Sequence, residues 1–165
     1  MGYTHYFEIK VPKGIKAAIL EEKYQRAIAE CAKLARVWNI EHAKGGPLDA
    51  ERLSGFSAHT APKQAYGGLQ LNGKGENAHE PFEMREHFKQ NIENGHGYCK
   101  TARKPYDTVV TACLAVLKYR LGNAIEVSSD GYQDDWDAGV AFARRVLRRA
   151  VPNPMQGKVW TLRKV

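Results

Sequence analysis

Residues 105–121 constrain the fold most, because a helix formed there would have almost no polar surface. Proline suits the first helical position, Asp107 lies in the first turn, and Gly122 can end the helix. The apolar side chains fall on nearly every side of such a helix: Val109, Val110, Cys113, Leu114, Val116, Leu117 and Leu121. The segment therefore predicts a helix that other elements bury on most sides.

The segments around this helix predict an α+β domain. "GYTHYFEI" alternates aromatic and polar residues and predicts an opening strand, whereas residues 15–39 carry the apolar stripe of an amphipathic helix. Short strand-like pieces occupy residues 54–88, and "KQNIENGHG" predicts a polar connection. "AIEVSSDG" predicts a strand, and a third helix follows from Asp134, as N-cap, to Arg149. The order β-α-β-β-β-α-β-α predicts a mostly antiparallel sheet with about three helices packed on it.

The totals of the chain predict one domain over residues 1–165, whose proline-broken tail, 152–165, has room for a final strand. A net charge of +7 favours anionic partners, whether nucleotide, phosphorylated metabolite or nucleic acid. No apolar run approaches the roughly 18 residues of a membrane span. The N-terminus has no signal-peptide pattern, so we expect a cytoplasmic protein and no membrane partner. The sequence leaves homo-oligomerisation open.

The stretch "GYCKTARKPYD" places cations where the apolar helix is predicted to begin. Lys100, Arg103 and Lys104 would lie at the positive end of the helix dipole, where stability alone disfavours them. Only Gly122 and Asn123 separate this helix from the next strand, so its start should lie near that strand's end. The third helix begins a few residues later, so two helix N-termini should face one place. Unpaired amides beside three cations predict an anion-binding site.

The predicted site extends to the rim of this edge, where Ser128, Ser129 and Asp130 suit ribose hydroxyls or a base amine. The predicted ligand-binding residues are Lys100, Thr101, Arg103, Lys104, Tyr106, Ser128, Ser129, Asp130 and His5. Two alternatives stay open from sequence. The cations could form a solvated loop paired with acidic residues, and Asp130 could serve only the turn before Gly131.

A second prediction concerns catalysis, for which Cys99, His79 and Asp130 are the candidates. Cys99 lies next to lysine and a predicted helix start, so we expect its pKa to fall and a thiolate to form, with His79 or His96 as base. A packed, unreactive thiol is the alternative. The three cysteines have no CxxC spacing and the histidines are scattered. We therefore predict no disulfide framework, no metal and no cofactor.

Four motifs in order, "MGYTHYF", "LQLNGKGENAHEPFEM", "CKTARKPYD" and "VSSDGYQDDW", resemble a family of small proteins found in bacteriophage genomes and prophages. The resemblance is densest over residues 69–139. It implies a viral origin and a bacterial cytoplasmic setting, and it assigns no catalytic residue.

The anion site and the viral resemblance together predict a phage accessory protein that binds a phosphorylated, nucleotide-type small ligand. Such a protein could sequester a nucleotide messenger of host defence. An enzyme acting on a nucleotide or protein through Cys99, His79 and Asp130 is one alternative. A protein-binding inhibitor of a host complex is another. Nucleic acid is less favoured, since the sequence has no interleaving of aromatic and basic residues of the kind that stacks single-stranded bases.

Overall fold

The computed structural model describes residues 2–55 and 68–158 and has an α+β fold, which confirms the predicted class. In chain order, the strands and helices are β1 (Thr4–Ile9), α1 (Ala17–Glu41), β2 (Leu53–Ser54), β3 (Leu69–Gly73), β4 (Phe82–Met84), α2 (Phe88–Glu93), β5 (His96–Lys100), α3 (Asp107–Leu121), β6 (Ile125–Ser129) and α4 (Gln133–Leu147). Short 3₁₀ turns lie at Asp49–Glu51, Gly75–Asn77 and Gly122–Ala124.

The strands form two three-stranded antiparallel sheets rather than the one sheet predicted. One sheet has the order β5-β1-β6 and the other the order β2-β3-β4. The predicted piece "SGFSAHTA" and the end of the tail lie largely outside the described residues. The sequence could not divide the strands between two sheets, because β1 finds its partners far along the chain.

Two elements were missed where a polar connection was expected, namely α2 and β5. Helix α2 begins at Phe88, whose side chain is buried and whose N–H donates to Glu21 Oε2 at 2.8 Å. Asn91 Oδ1 accepts the Arg85 N–H at 3.0 Å, and Asn91 Nδ2 donates to the hydroxyl oxygen of Tyr24 at 2.9 Å. These contacts with α1 stabilise a short helix that local propensity alone does not favour.

Helix α3 lies at the centre of the core, as its apolar sequence predicts. It packs between α1 and α4, and its side chains from Val109 to Leu117 are buried. It begins at Asp107 rather than at Pro105, because residues 101–107 form a turn in which Lys104 N donates to Thr101 O at 3.0 Å. A Cβ atom at Gly139 of α4 would lie 2.0 Å from Thr111 Oγ1, so these two helices approach unusually closely.

No helix within residues 2–55 and 68–158 combines the length and the apolar character that crossing a membrane requires.

Candidate functional site

The alternation of side chains along the β5-β1-β6 sheet divides the predicted site residues between two faces. His5 lies opposite Cys99 on β5 and Ser129 on β6, and all three side chains are buried beneath α3 and α4. The neighbouring positions point to the other face. Ser128 and Ser129, which the sequence analysis grouped together, therefore lie on opposite sides of the sheet.

On the buried face, His5 joins two strands to the start of α3. Its Nδ1 lies 2.8 Å from Ser129 Oγ and its Nε2 lies 2.6 Å from Asp107 Oδ1. Asp107 Oδ1 also accepts the Thr101 hydroxyl at 2.6 Å. Because a carboxylate only accepts, His5 donates to Asp107 from Nε2.

This cluster contains the residue types of a Ser-His-Asp triad, but it is closed to substrate. Both ring nitrogens of His5 are engaged and the ring is completely buried. Ser129 is also buried, and its Oγ accepts the Gly131 N–H at 2.9 Å. A nucleophile must reach the reacting atom. The arrangement therefore fixes where β1, β6 and α3 begin or end, and Thr101 and Ser129 act as structural residues.

Two buried donors flank His5 without an acceptor among the described residues. The rings of Tyr3 and Trp136 pack edge-on against the imidazole, each with centroids 5.0 Å away. The Tyr3 hydroxyl and Trp136 Nε1 both lack a hydrogen-bond partner within residues 2–55 and 68–158. Burial, followed by the negative charges of Asp107 and Asp135, raises the pKa of Tyr3, so this phenol stays protonated.

The turn that carries the cations has a strained backbone. Ala102 and Arg103 are consecutive non-glycine residues with φ of 50° and 57°, a left-handed conformation that disfavours residues with a Cβ atom. Two bonds hold the turn in place, because Thr101 N and Ala102 N both donate to Tyr3 O, at 3.1 and 3.2 Å. Strain of this kind persists only where surrounding contacts enforce it.

Arg103 is held at this turn by two interactions. Its guanidinium lies 4.0 Å from the centroid of the Tyr3 ring, and its Nη1 lies 2.6 Å from Asp135 Oδ1 in the first turn of α4. The starts of α3 and α4 and the end of β6 therefore do meet at one edge. Lys100 and Lys104 form no ion pair with any carboxylate of the described residues.

The expectation that the helix amides at this edge are unpaired is wrong for four of them. In α3, Asp107 N donates to Lys104 O at 2.9 Å and Thr108 N to Pro105 O at 3.3 Å. At the start of α4, Gln133 N donates to Lys158 O at 2.8 Å, and Tyr132 N donates to Asp135 Oδ2 at 2.8 Å. The preceding turn and the tail thus satisfy amides that a ligand was expected to bind.

The expectation of a Cys99 thiolate is also wrong. Burial, followed by the charges of Glu80 and Asp107, raises the pKa of Cys99 to about 12. Its Sγ–H donates to Glu80 O at 3.4 Å, an oxygen that also accepts the hydroxyl of buried Tyr106 at 2.7 Å. A thiol in such surroundings is an unreactive part of the core. Tyr106 is likewise structural.

The histidines proposed as bases are on the surface. His79 is exposed and its backbone bonds to the side chain of Asn72, and His96 is exposed with Nδ1 3.6 Å from Glu8 Oε2. Within residues 2–55 and 68–158, no three His, Cys, Asp or Glu side chains are grouped as metal ligands.

The outer face of the sheet carries a pair of tyrosines that sequence reasoning missed. Tyr6 on β1 lies directly opposite Tyr98 on β5, and these residues are 43% and 64% exposed. Because Thr101 N donates to Tyr3 O, the Tyr6–Tyr98 pair is of the non-hydrogen-bonded type, in which side chains lie closest. The residues are distant in sequence, and only the strand register indicates the pair.

The remaining predicted residues surround this pair. Ser128 lies opposite Tyr6 on β6, and the next position along each strand brings Lys100, Thr4 and Asp130 into one row. Asp130 Oδ2 accepts the Thr4 N–H at 3.0 Å, while Asp130 itself is exposed. We call this surface the tyrosine face; its residues are Thr4, Tyr6, Tyr98, Lys100, Ser128 and Asp130. This surface combines the exposed rings of Tyr6 and Tyr98 with the ammonium of Lys100, the hydroxyls of Thr4 and Ser128, and the carboxylate of Asp130.

Comparison of the chain with protein-family models, with curated proteins and with solved structures gave no match. The geometry of the tyrosine face and of the Arg103 turn is therefore the basis for assigning a function.

Proposed function

We propose that this protein binds a phosphorylated, nucleotide-type small molecule on the tyrosine face, with the Arg103 turn at one end of the site. The observation that carries the proposal is the exposed Tyr6–Tyr98 pair beside Lys100. An aromatic base stacks on exposed aromatic rings, and each stacked base contributes about 1–3 kcal/mol. Rings alone would accept many flat ligands, so the polar neighbours of the pair decide the class.

The polar residues of the tyrosine face match the other parts of a nucleotide. Ser128 lies on β6 beside Tyr6 and Asp130 follows the end of that strand, and both can bond ribose hydroxyls, since a hydroxyl and a carboxylate oxygen accept hydrogen bonds. Lys100 follows Tyr98 by two positions, which places it about 7 Å along the same face. It has no ion pair among the described residues, so its ammonium is available to a phosphate oxygen.

Arg103 and Lys104 extend the positive charge around the edge of the sheet. The Arg103 side chain is 59% exposed, so its guanidinium can contact a phosphate, with which Asp135 would compete. The bidentate geometry of a guanidinium suits phosphate. The net charge of +7 favours the approach of such a ligand.

Binding without turnover is the form of this proposal that we favour. Cys99 is a buried thiol with a raised pKa, and both nitrogens of His5 are occupied, so neither is ready for nucleophilic or acid–base chemistry. The sequence motifs resemble those of bacteriophage and prophage proteins. In a phage protein, such binding would sequester a nucleotide messenger of host defence in the bacterial cytoplasm.

Calorimetry with adenosine monophosphate, ADP-ribose, a cyclic dinucleotide and ribose 5-phosphate tests the proposal. We expect at least one nucleotide to bind with a dissociation constant on the order of micromolar, near −8 kcal/mol. Ribose 5-phosphate should bind much more weakly because it has no base. Mass analysis after incubation should return the ligand unchanged; a product would instead favour an enzyme. The proposal would be refuted if folded protein released or absorbed no heat of binding with any of these nucleotides.

Matched variants locate the site. Tyr98→Ser should weaken nucleotide binding about 5- to 150-fold, the equivalent of one lost stack. Tyr119→Ser is its control, because Tyr119 is 47% exposed but lies at the far end of α3. Arg103→Glu should abolish binding, whereas Arg26→Glu should not. The two arginine side chains are 59% and 62% exposed, and both form an ion pair on the surface.

A further inference from the structure

A groove runs between the neighbouring edges of the two sheets. It has a volume of about 380 Å³. Its lining includes residues 95–98, at the start of β5, and Pro81, Glu83 and Arg85, in and around β4, while Asn91 and Asn94 line it from the α2 side. Phe7 and Ile9, both buried, add apolar lining. Since β5 pairs only with β1 and β4 pairs only with β3 in the described sheets, the groove separates two open edges.

The strand register shows which backbone groups face the groove. Thr101 N donates to Tyr3 O, so the odd-numbered residues of β5 bond to β1 and the even-numbered ones point away from it. Lys100, Tyr98 and His96 thus present their N–H and C=O groups to the open edge. Those of Tyr98 and His96 have no partner among the described residues.

The chain already satisfies the first of these three positions with an extended residue of its own. Glu80 N donates to Lys100 O at 3.2 Å, and Lys100 N donates to Glu80 Oε2 at 3.0 Å. The next residue, Pro81, has no N–H and cannot continue a ladder. The chain then turns to pair Phe82 with Leu71 in the other sheet. Among the described residues, strand pairing at the outer edge of β5 therefore begins at Glu80 and does not extend to Tyr98 and His96.

We propose that the groove binds an extended segment of a protein partner, which adds to β5 as a strand and continues the pairing begun by Glu80. Unpaired N–H and C=O groups at every second residue match an added strand. About three residues of the partner would pair between Tyr98 and His96. A partner side chain facing inward would contact Phe7 and Ile9, so we expect an apolar residue there.

Charge distinguishes a peptide from nucleic acid as the occupant. The lining contains two carboxylates, Glu80 and Glu83, and one arginine, Arg85. Such a groove gives no net attraction to phosphates. The inference does not depend on nucleotide binding, because the groove uses the edge of β5 and the tyrosine face uses its surface.

A nuclear magnetic resonance titration tests this inference with blocked pentapeptides, Ac-Thr-X-Thr-X-Thr-NH₂, in which X is Val, Leu or Phe. We expect at least one peptide to shift the amide signals of residues 95–98 and 82–85 and to slow hydrogen exchange at the amides of Tyr98 and His96. The same peptide N-methylated at both X residues keeps its side chains but loses two backbone donors. Its affinity should fall at least tenfold.

Variants of His96 provide the matching test on the protein. His96→Pro removes an outward N–H at the first residue of β5, where proline is tolerated because β1 does not use that donor. His96→Ala keeps the N–H. We expect the affinity for the peptide to fall at least tenfold in His96→Pro and less than twofold in His96→Ala. Three results would each overturn strand addition: no shift with any peptide, equal binding of the N-methylated peptide, or groove shifts caused by adenosine monophosphate instead.

Discussion

Replacing His5 by phenylalanine tests whether the buried cluster holds the strands and helix α3 together. Phenylalanine keeps a ring between Tyr3 and Trp136 but removes the bonds at 2.8 Å to Ser129 and 2.6 Å to Asp107. A bond to a charged group contributes about 1.5–3 kcal/mol and a neutral bond about 1 kcal/mol. We therefore expect His5→Phe to lower the free energy of unfolding by about 2.5–4 kcal/mol.

Urea denaturation measures this loss, provided that the slope with denaturant stays constant. For a chain of this size, each kcal/mol corresponds to about 2–4 °C, so the melting temperature should fall by about 10 °C. The larger phenylalanine ring could also destabilise the protein by overpacking. A double-mutant cycle separates this effect from the interaction energy between His5 and Ser129. Ser129→Ala should cost about 1 kcal/mol less in the His5→Phe background than in the unmodified protein.

The absence of this coupling would refute the interpretation of the cluster. If Ser129→Ala costs the same in both backgrounds, His5 and Ser129 do not stabilise one another. A loss below about 1 kcal/mol for His5→Phe itself would be equally damaging, because burying the imidazole would then contribute little.

Two further predictions test the core. Replacing glycine by alanine usually stabilises a helix by about 1 kcal/mol. We expect Gly139→Ala instead to lower the free energy of unfolding by about 1–3 kcal/mol, as measured by urea denaturation, because the new Cβ would lie 2.0 Å from Thr111 Oγ1 and 2.8 Å from Thr108 O. A gain in stability would contradict the close contact between α3 and α4. Burial raises the pKa of Cys99 from 9.0 to about 12, so the unfolded chain loses this proton first, and stability should fall between pH 9 and pH 12. Cys99→Ala should show a smaller fall, as measured by urea denaturation at each pH, and an identical fall would contradict the assignment.

The sequence predicted the α+β class because its periodic patterns are local. The apolar run of α3 and the stripe of α1 each require only the residues of one helix, and both helices occur where they were expected. Local patterns did not predict α2, because Phe88 and Asn91 stabilise this helix through contacts with α1. A short segment stabilised by a distant element carries too little information in its own residues.

The sequence located the edge where several elements meet, but it missed the Tyr6–Tyr98 pair and could not place the side chains. The sequence correctly brought the starts of α3 and α4 and the end of β6 to one edge, because a two-residue link between a helix and a strand forces the chain back. It could not show that the Arg103 side chain contacts Asp135 or that the helix amides are already bonded. Those outcomes depend on side-chain positions that several elements determine together.

By itself the sequence determined the three long helices, the strands at either end of the β1–β6 order, and the elements that meet at the cationic turn. Only the tertiary structure decided which side of the sheet each residue faces and which distant residue lies opposite. Strand partners are set by packing across the whole core, and a shift of one residue moves a side chain to the other face. That is why Tyr98, unremarkable in the sequence, lies beside Tyr6 on the surface proposed to bind the ligand.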